Sequence, residues 1–244
     1  MVPYFLKNGH KKIGRSSLAL LFVFYGSCLY SSAWFDKKDN VLLGCGTALF
    51  GVGTVLSHRV CPPDSSSLVP GRIFVVDRVA LGLHRSGAGG ISDCTAVASF
   101  VLPLWVLAET KPGRGREKGF WMVAESNLLS QGLVHLAKGL FKRPRPYAYD
   151  AAFPASRRFT RDASRSFFSG HTAAAFNGAV MAGLLCGNAR IGRESMPLVW
   201  LGGAALAAST GVLRVCSGSH FPTDVLAGAA VGGVTAFFVH RSTR

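Results

Sequence analysis

Seven apolar runs separated by short basic clusters constrain this chain more than any other feature. They cover residues 17–34, 41–56, 93–108, 119–137, 172–186, 197–213 and 225–240. Inside lipid, backbone polar groups must be satisfied within the segment itself, so runs of this kind fold as helices that cross or line a membrane. The last four or five are near the length that a tilted span needs. Of the 244 residues, 49% are hydrophobic and only 16% are charged, which is too apolar for a soluble domain of this size. The expected fold class is therefore all-α, a polytopic membrane helix bundle.

The formal net charge is +15. A nucleic-acid binder would also be basic, but here the positive residues fall between apolar runs, as the positive-inside rule describes. Nucleic acid is not an expected partner. Residues 109–118, ETKPGRGREK, are short and strongly basic and should be cytoplasmic. So should 187–196, with Arg190 and Arg193, and the tail HRSTR. Residues 138–171 and 214–224 then share the opposite, extracytoplasmic face, and Asp93 lies there too.

With Lys7, Lys11, Lys12 and Arg15 starting inside, an odd number of crossings must precede Asp93. The preferred crossing is 17–34. Its Ser31-Ser32-Ala33 end suits signal-peptidase cleavage, so 1–34 is either a signal peptide or a retained first helix. Residues 35–92 then form an N-terminal extracytoplasmic or membrane-surface region in which 41–56 is a surface or packed helix, and 93–244 form the helical core. The alternative makes 41–56 the first span. Residues 72–84 are a poor span because Asp77 and Arg78 interrupt them. The six cysteines show no metal-binding spacing, and Cys45 and Cys61 would suit a disulfide if their stretch is extracytoplasmic.

Within 119–138, Asn127, Gln131, His135 and Lys138 are spaced four, four and three apart. At about 100° per residue they share one narrow helical stripe, which should face the bundle interior or a wet cavity. Asn127 and Gln131 read as interhelical hydrogen-bonding residues. Lys138 leads directly into KGLFKRPRP.

Three polar clusters converge on the extracytoplasmic side: Lys138 with Arg145, then Ser169-Gly170-His171, then Arg214 with His220 and Asp224. Each alone has an ordinary account as an interface anchor, a helix cap or a structural pair. Together they supply what phosphoryl transfer needs: fixed cations, helix-start N–H groups, two histidines and a carboxylate. The pattern K-x6-R-P, S-G-H, R-x5-H-x3-D resembles the three-part signature of the type 2 phosphatidic acid phosphatase superfamily, which also holds the vanadium haloperoxidases. The match covers residues 138–224. The family usually has Pro where Phe168 stands and Ser where Leu213 stands.

The resemblance implies a bundle of about six membrane helices and a membrane phosphatase that hydrolyses a lipid phosphate or lipid pyrophosphate. His220 would be the nucleophile and form a phosphohistidine, Asp224 would fix its tautomer, and His171 would protonate the leaving group. Lys138, Arg145, Ser169, Gly170 and Arg214 would bind the phosphate. Arg145 has the family spacing to Lys138, which Arg143 lacks. The resemblance implies no metal and no cofactor. The expected partners are the lipid substrate and membrane lipids, and the expected location is a bacterial inner membrane with the site facing the periplasm or exterior. Alternative readings are a vanadate-dependent haloperoxidase-like enzyme and a non-enzymatic transporter or structural membrane protein. Arg157, Arg158, Arg161 and Arg165 make the loop after the first cluster basic, which suits anionic headgroups.

Overall fold

The structure, a computed structural model, describes residues 37–191 and 193–243. The 17–34 run, with its signal peptide or first helix, lies outside them. Six long helices follow one another among the described residues: α1 (Lys37–His58), α2 (Ala88–Ala108), α3 (Arg114–Phe141), α4 (Gly170–Cys186), α5 (Met196–Cys216) and α6 (Pro222–Ser242). Short 3-10 turns and one helical turn, Ala155–Arg158, fill the connections. The protein is thus an all-helical membrane bundle, and α1, α2, α5 and α6 are each long and apolar enough to cross a bilayer. Val97, Trp105, Leu201 and Phe237 point outward from these helices, as a lipid-facing surface requires. α4 is shorter, at 17 residues, and it is the buried centre, packed on α2, α3, α5 and α6.

Small residues make that central packing tight. An added Cβ on Gly178 of α4 would run into the Ser99 carbonyl of α2. Gly228 and Gly232, one turn apart on α6, lie against the backbone of Ser169 and Ala173. This is the small-xxx-small device by which membrane helices approach closely. The space between the helices is not purely apolar. Asn177 of α4 accepts from Ser126 of α3 and donates to the Gly232 carbonyl and Thr235 hydroxyl of α6. Val106, Leu107, Met122, Met181, Leu185 and Val239 form the main apolar core.

The helices alternate in direction. At one end the two basic loops meet, the Arg190 amide donating to the Glu109 carbonyl at 2.9 Å. At the other end α2, α4 and α6 begin while α3 and α5 finish. α1 runs parallel to α3: Gly46 lies against Leu128, Gly53 against His135, and Gly139 of α3 against Leu56. Of the two forms expected for 41–56, a surface or a packed helix, the stretch takes the second, as the body of a 22-residue helix packed lengthwise on the bundle. Its C-terminal end stands on the same side as Lys138, which is the direction the alternative reading requires. Cys45 and Cys61 are free thiols. Cys45 sits about 20 Å along α1 from the helix end, too far for a bridge to Cys61.

Candidate active site

The chain leaves α3 through Lys142, whose φ of 47° ends the helix. Arg143-Pro144-Arg145-Pro146 then crosses the end of the bundle, and the two arginines take different roles. Arg143 is anchored: it donates to Asp224 Oδ1 at 2.5 Å, to Thr223 Oγ1 at 2.8 Å and to Asp77 Oδ2 at 2.7 Å, and it stacks 4.3 Å over the Phe221 ring. Arg145 is nearly buried and turns towards His220, with Nη1 3.5 Å from His220 Nε2. Its Nη1 also donates to the Ser219 carbonyl at 3.1 Å, while Nε and Nη2 bond Asp162.

His220 comes from the tight turn between α5 and α6. Gly218 there has a φ of +67°, and a Cβ on it would strike the Leu83 carbonyl, so the turn needs glycine. The ring is 1% exposed. Burial holds its pKa far below the ordinary histidine range, to about 3; Asp224 pulls the other way, while Arg145 and Lys138 add to the depression. The ring is therefore neutral at physiological pH, the state a nucleophilic nitrogen requires.

Asp224 lies in the first turn of α6, where its Oδ2 accepts the Phe221 amide at 2.9 Å and the Ser166 hydroxyl. His220 Nδ1 is 3.8 Å from the same oxygen, an electrostatic contact about 1 Å longer than a hydrogen bond. Catalytic hydrogen bonds commonly shorten only when substrate is engaged.

Ser169 caps α4. Its Oγ accepts from the Thr172 amide and, at 2.9 Å, from the Thr172 hydroxyl, which leaves its own proton to donate. Its backbone N–H is bonded to the Asp224 carbonyl at 3.0 Å, which ties the start of α4 to the start of α6. Gly170 opens the helix beside Lys138: a Cβ placed there would sit 3.7 Å from Lys138 Nζ. Gln131, two steps up the same stripe, donates to the Gly170 carbonyl. His135 instead packs edge-on against Phe50 of α1, with ring centroids 4.9 Å apart. Phe168 fills an apolar pocket with Val134, Ala137 and Ala173 between α3 and α4.

His171, half exposed, places Nε2 3.1 Å from Asp93 Oδ1, and Arg214 Nη1 meets the same oxygen at 3.1 Å. Arg214 also donates to Ser92 Oγ at 3.1 Å. One carboxylate at the start of α2 therefore orients both groups.

The structure thus gathers Lys138, Arg145, Ser169, Gly170, His171, Arg214, His220 and Asp224 at one end of the bundle. The sequence reading overlooked the residues that hold them there. Asp93 carried a signal, since orientation placed it on the same face. Asp77, 1% exposed, accepts from Arg143 and from the amide and hydroxyl of Thr223. Its signal was an acid inside an otherwise apolar run, there read only as an interruption. Ser166 and Asp162 had none beyond proximity to the S-G-H cluster.

Helical bundle and site together define a membrane protein of the PAP2 superfamily, and the chain belongs to it: the family model matches residues 119–244. Among curated proteins it resembles a lipid A 1-phosphatase of Porphyromonas gingivalis, 30% identical over 165 residues, or 65% of this chain. The chain spans about a third of that relative's length, 33%. Among solved structures it resembles the transmembrane PAP2-type phosphatidylglycerolphosphate phosphatase of Bacillus subtilis, at 24% identity and a TM-score of 0.45, covering 80% of this chain and 93% of that one.

Proposed function

We propose that this protein hydrolyses the terminal phosphate of a lipid phosphate or lipid diphosphate at the membrane face opposite its two basic loops. The observation that carries the reading is the approach of Arg145 Nη1 to within 3.5 Å of His220 Nε2, a fixed cation beside a buried neutral imidazole nitrogen.

The geometry supports the following steps. His220 Nε2 attacks phosphorus and forms an N–P bond as the bond to the leaving oxygen breaks. Arg145, Lys138 and Arg214 offset the charge on the equatorial oxygens, and the Gly170 N–H at the start of α4 adds a helix-terminus donor. His171 protonates the leaving oxygen. With Nε2 on Asp93, Nδ1 is the nitrogen left for this task. Water then attacks the phosphohistidine, gives its proton to His171, and releases orthophosphate and neutral His220. These steps use residues of this chain and route through no metal or cofactor.

Orientation follows from charge. The basic loops 109–118 and 187–196 lie at one end and belong in the cytoplasm of a bacterial inner membrane, and the site end belongs in the periplasm. α1 then supplies the odd crossing before Asp93.

The test is phosphate release by purified protein in detergent, with EDTA present, over a panel of lipid A phosphates, phosphatidylglycerol phosphate, phosphatidic acid and isoprenyl diphosphate. Lipid A 1-phosphate heads the panel because of the curated relative. Release should persist in EDTA and stop in His220→Ala. Turnover that requires a metal, or a fully active His220→Ala, sinks the mechanism. For the face, with the native cysteines replaced by alanine, an impermeant maleimide should label Arg157→Cys but not Arg114→Cys in intact cells.

A further inference from the structure

Arg145 is already held by an anion. Its Nε donates to the Asp162 carbonyl and its Nη2 to Asp162 Oδ1, each at 2.9 Å. Nη1 faces the Ser219 carbonyl and His220. A guanidinium has five N–H groups, so one on Nη2 remains to be shared. The two carbonyl partners are backbone and fixed in place. The Asp162 carboxylate is different, because it tips a side chain that is 61% exposed on the loop before the S-G-H cluster.

The other acids near the site are matched elsewhere. Asp224 and Asp77 pair with Arg143, and Asp93 pairs with His171 and Arg214. Asp162 sits instead in the field of Lys138, Arg145 and Arg165, which outweighs its partial burial and keeps it ionised, and its charge is felt at Arg214 as well. It is the acid that holds Arg145, the cation beside His220, just as Asp93 holds Arg214.

We propose that Asp162 is a built-in competitor for phosphate: its carboxylate holds Arg145, yields it to the substrate phosphate, and takes it back as orthophosphate leaves. The inference rests on the phosphatase reading above. A bidentate phosphate on Arg145 needs two parallel N–H groups, and freeing Nη2 from Asp162 supplies the second. The 3.5 Å contact of Asp162 with Tyr147 Oη marks a partner that remains after the switch. Asp162 thus lowers affinity for substrate and product alike and speeds product release.

The opposing account makes Asp162 a clamp that positions Arg145, and the sign of the effect separates the two. Asp162→Asn keeps an oxygen for Nη2 but removes the charge, and Asp162→Ala removes both. Orthophosphate binding to purified wild-type protein and both variants should be measured directly by calorimetry, alongside KM and product inhibition. Competition predicts orthophosphate binding tighter by about fivefold in each variant, the scale of a half-exposed ion pair, with KM lowered in parallel. Unchanged or weaker binding in the variants overturns the proposal and leaves the clamp. Wild-type protein that neither binds orthophosphate nor releases it sinks the phosphatase reading as well. Wild-type protein that does both, with variants no tighter, overturns this inference alone.

Discussion

Asp93 Oδ1 stands 3.1 Å from His171 Nε2. The pair joins the second turn of α2 to the first turn of α4, two helices separated in the chain by all of α3, and the same oxygen receives Arg214 from the end of α5. His171 and Arg214, the proposed proton donor and phosphate ligand, are therefore held together by a residue outside the three-cluster signature.

Removing His171 should cost about 10²- to 10⁴-fold in kcat on a lipid phosphate, the usual weight of a general acid. The deficit should shrink on an aryl phosphate whose leaving group needs no proton. Asp93→Ala should cost less, about 10- to 100-fold, because it loosens the orientation of His171 and Arg214 without deleting either. It should raise KM as well, since Arg214 loses its anchor. Steady-state kinetics on the two substrates check this. An aryl-phosphate deficit in His171→Ala as large as the lipid deficit would remove the acid role.

Asp77 is the acid that the reacting groups do not touch but rest upon. It is 1% exposed and accepts from Arg143 and from both the amide and the hydroxyl of Thr223. Asp77→Ala leaves a half-buried guanidinium with one carboxylate partner and a helix-start amide with none. Breaking a buried pair in this way costs roughly 3–5 kcal/mol. The detergent-solubilised variant should melt several degrees lower and lose activity through the displaced Thr223–Asp224 turn. Asp77→Asn, which keeps an oxygen for the Thr223 amide, should recover part of both. An unchanged melting temperature in Asp77→Ala would show that the Arg143 network is not structural.

Much of this arrangement was legible in the sequence because hydropathy and charge act locally. The runs 119–137, 172–186, 197–213 and 225–240 fall inside α3, α4, α5 and α6. The two basic loops do meet at the end opposite the clustered histidines. What escaped was decided by contacts distant in sequence. Crossing parity left open whether 41–56 spans or packs, and the contacts of Gly46 and Gly53 with α3 are what let α1 lie on it. α2 begins at Ala88, before the apolar run proper, because Gly87 with a φ of 81° starts it and brings Ser92 and Asp93 onto the helix. Phe168 stands where a family proline is usual, and its reason is the apolar pocket between α3 and α4. Arg143 and Arg145 are two residues apart, and only their partners tell them apart.

The buried His220 ring sets a pH expectation. Its folded pKa is held far below the unfolded value of about 6.5, so between that value and the depressed one the unfolded chain binds a proton that the folded chain does not. Its contribution to stability is therefore greatest above pH 6.5 and is lost as pH falls through that window. In the same window the folded ring stays neutral and nucleophilic. Nitrogen-15 histidine spectra of wild-type protein and His220→Asn, compared at pH 5, should show the missing resonance to be that of a neutral imidazole. A resonance that titrates near pH 6.5 would mean the site is wetter than its packing, and the acid limb of kcat/KM would then include His220.

Gly228 tests whether helix packing sets the chemistry. A Cβ at this position of α6 would lie 2.5 Å from the Ser169 carbonyl, a fixed backbone atom with the helix start behind it. Alanine there must push α6 away from α4. The first bond to stretch is the one from the Ser169 amide to the Asp224 carbonyl, 3.0 Å long. That shift moves Asp224 and the His220 turn relative to Gly170 and His171, across the gap that the phosphate must span. Overpacking of this kind costs about 1–3 kcal/mol of stability, and a displacement near 1 Å costs about 10²-fold in rate. Gly228→Ala should therefore fold, melt a few degrees lower and lose kcat far out of proportion to its stability. Gly233→Ala on the same helix, where a Cβ would meet Val180 at an ordinary 3.7 Å, should do neither. Equal activity in the two variants would show that the site tolerates movement of α6 and that its geometry is set by the loops alone.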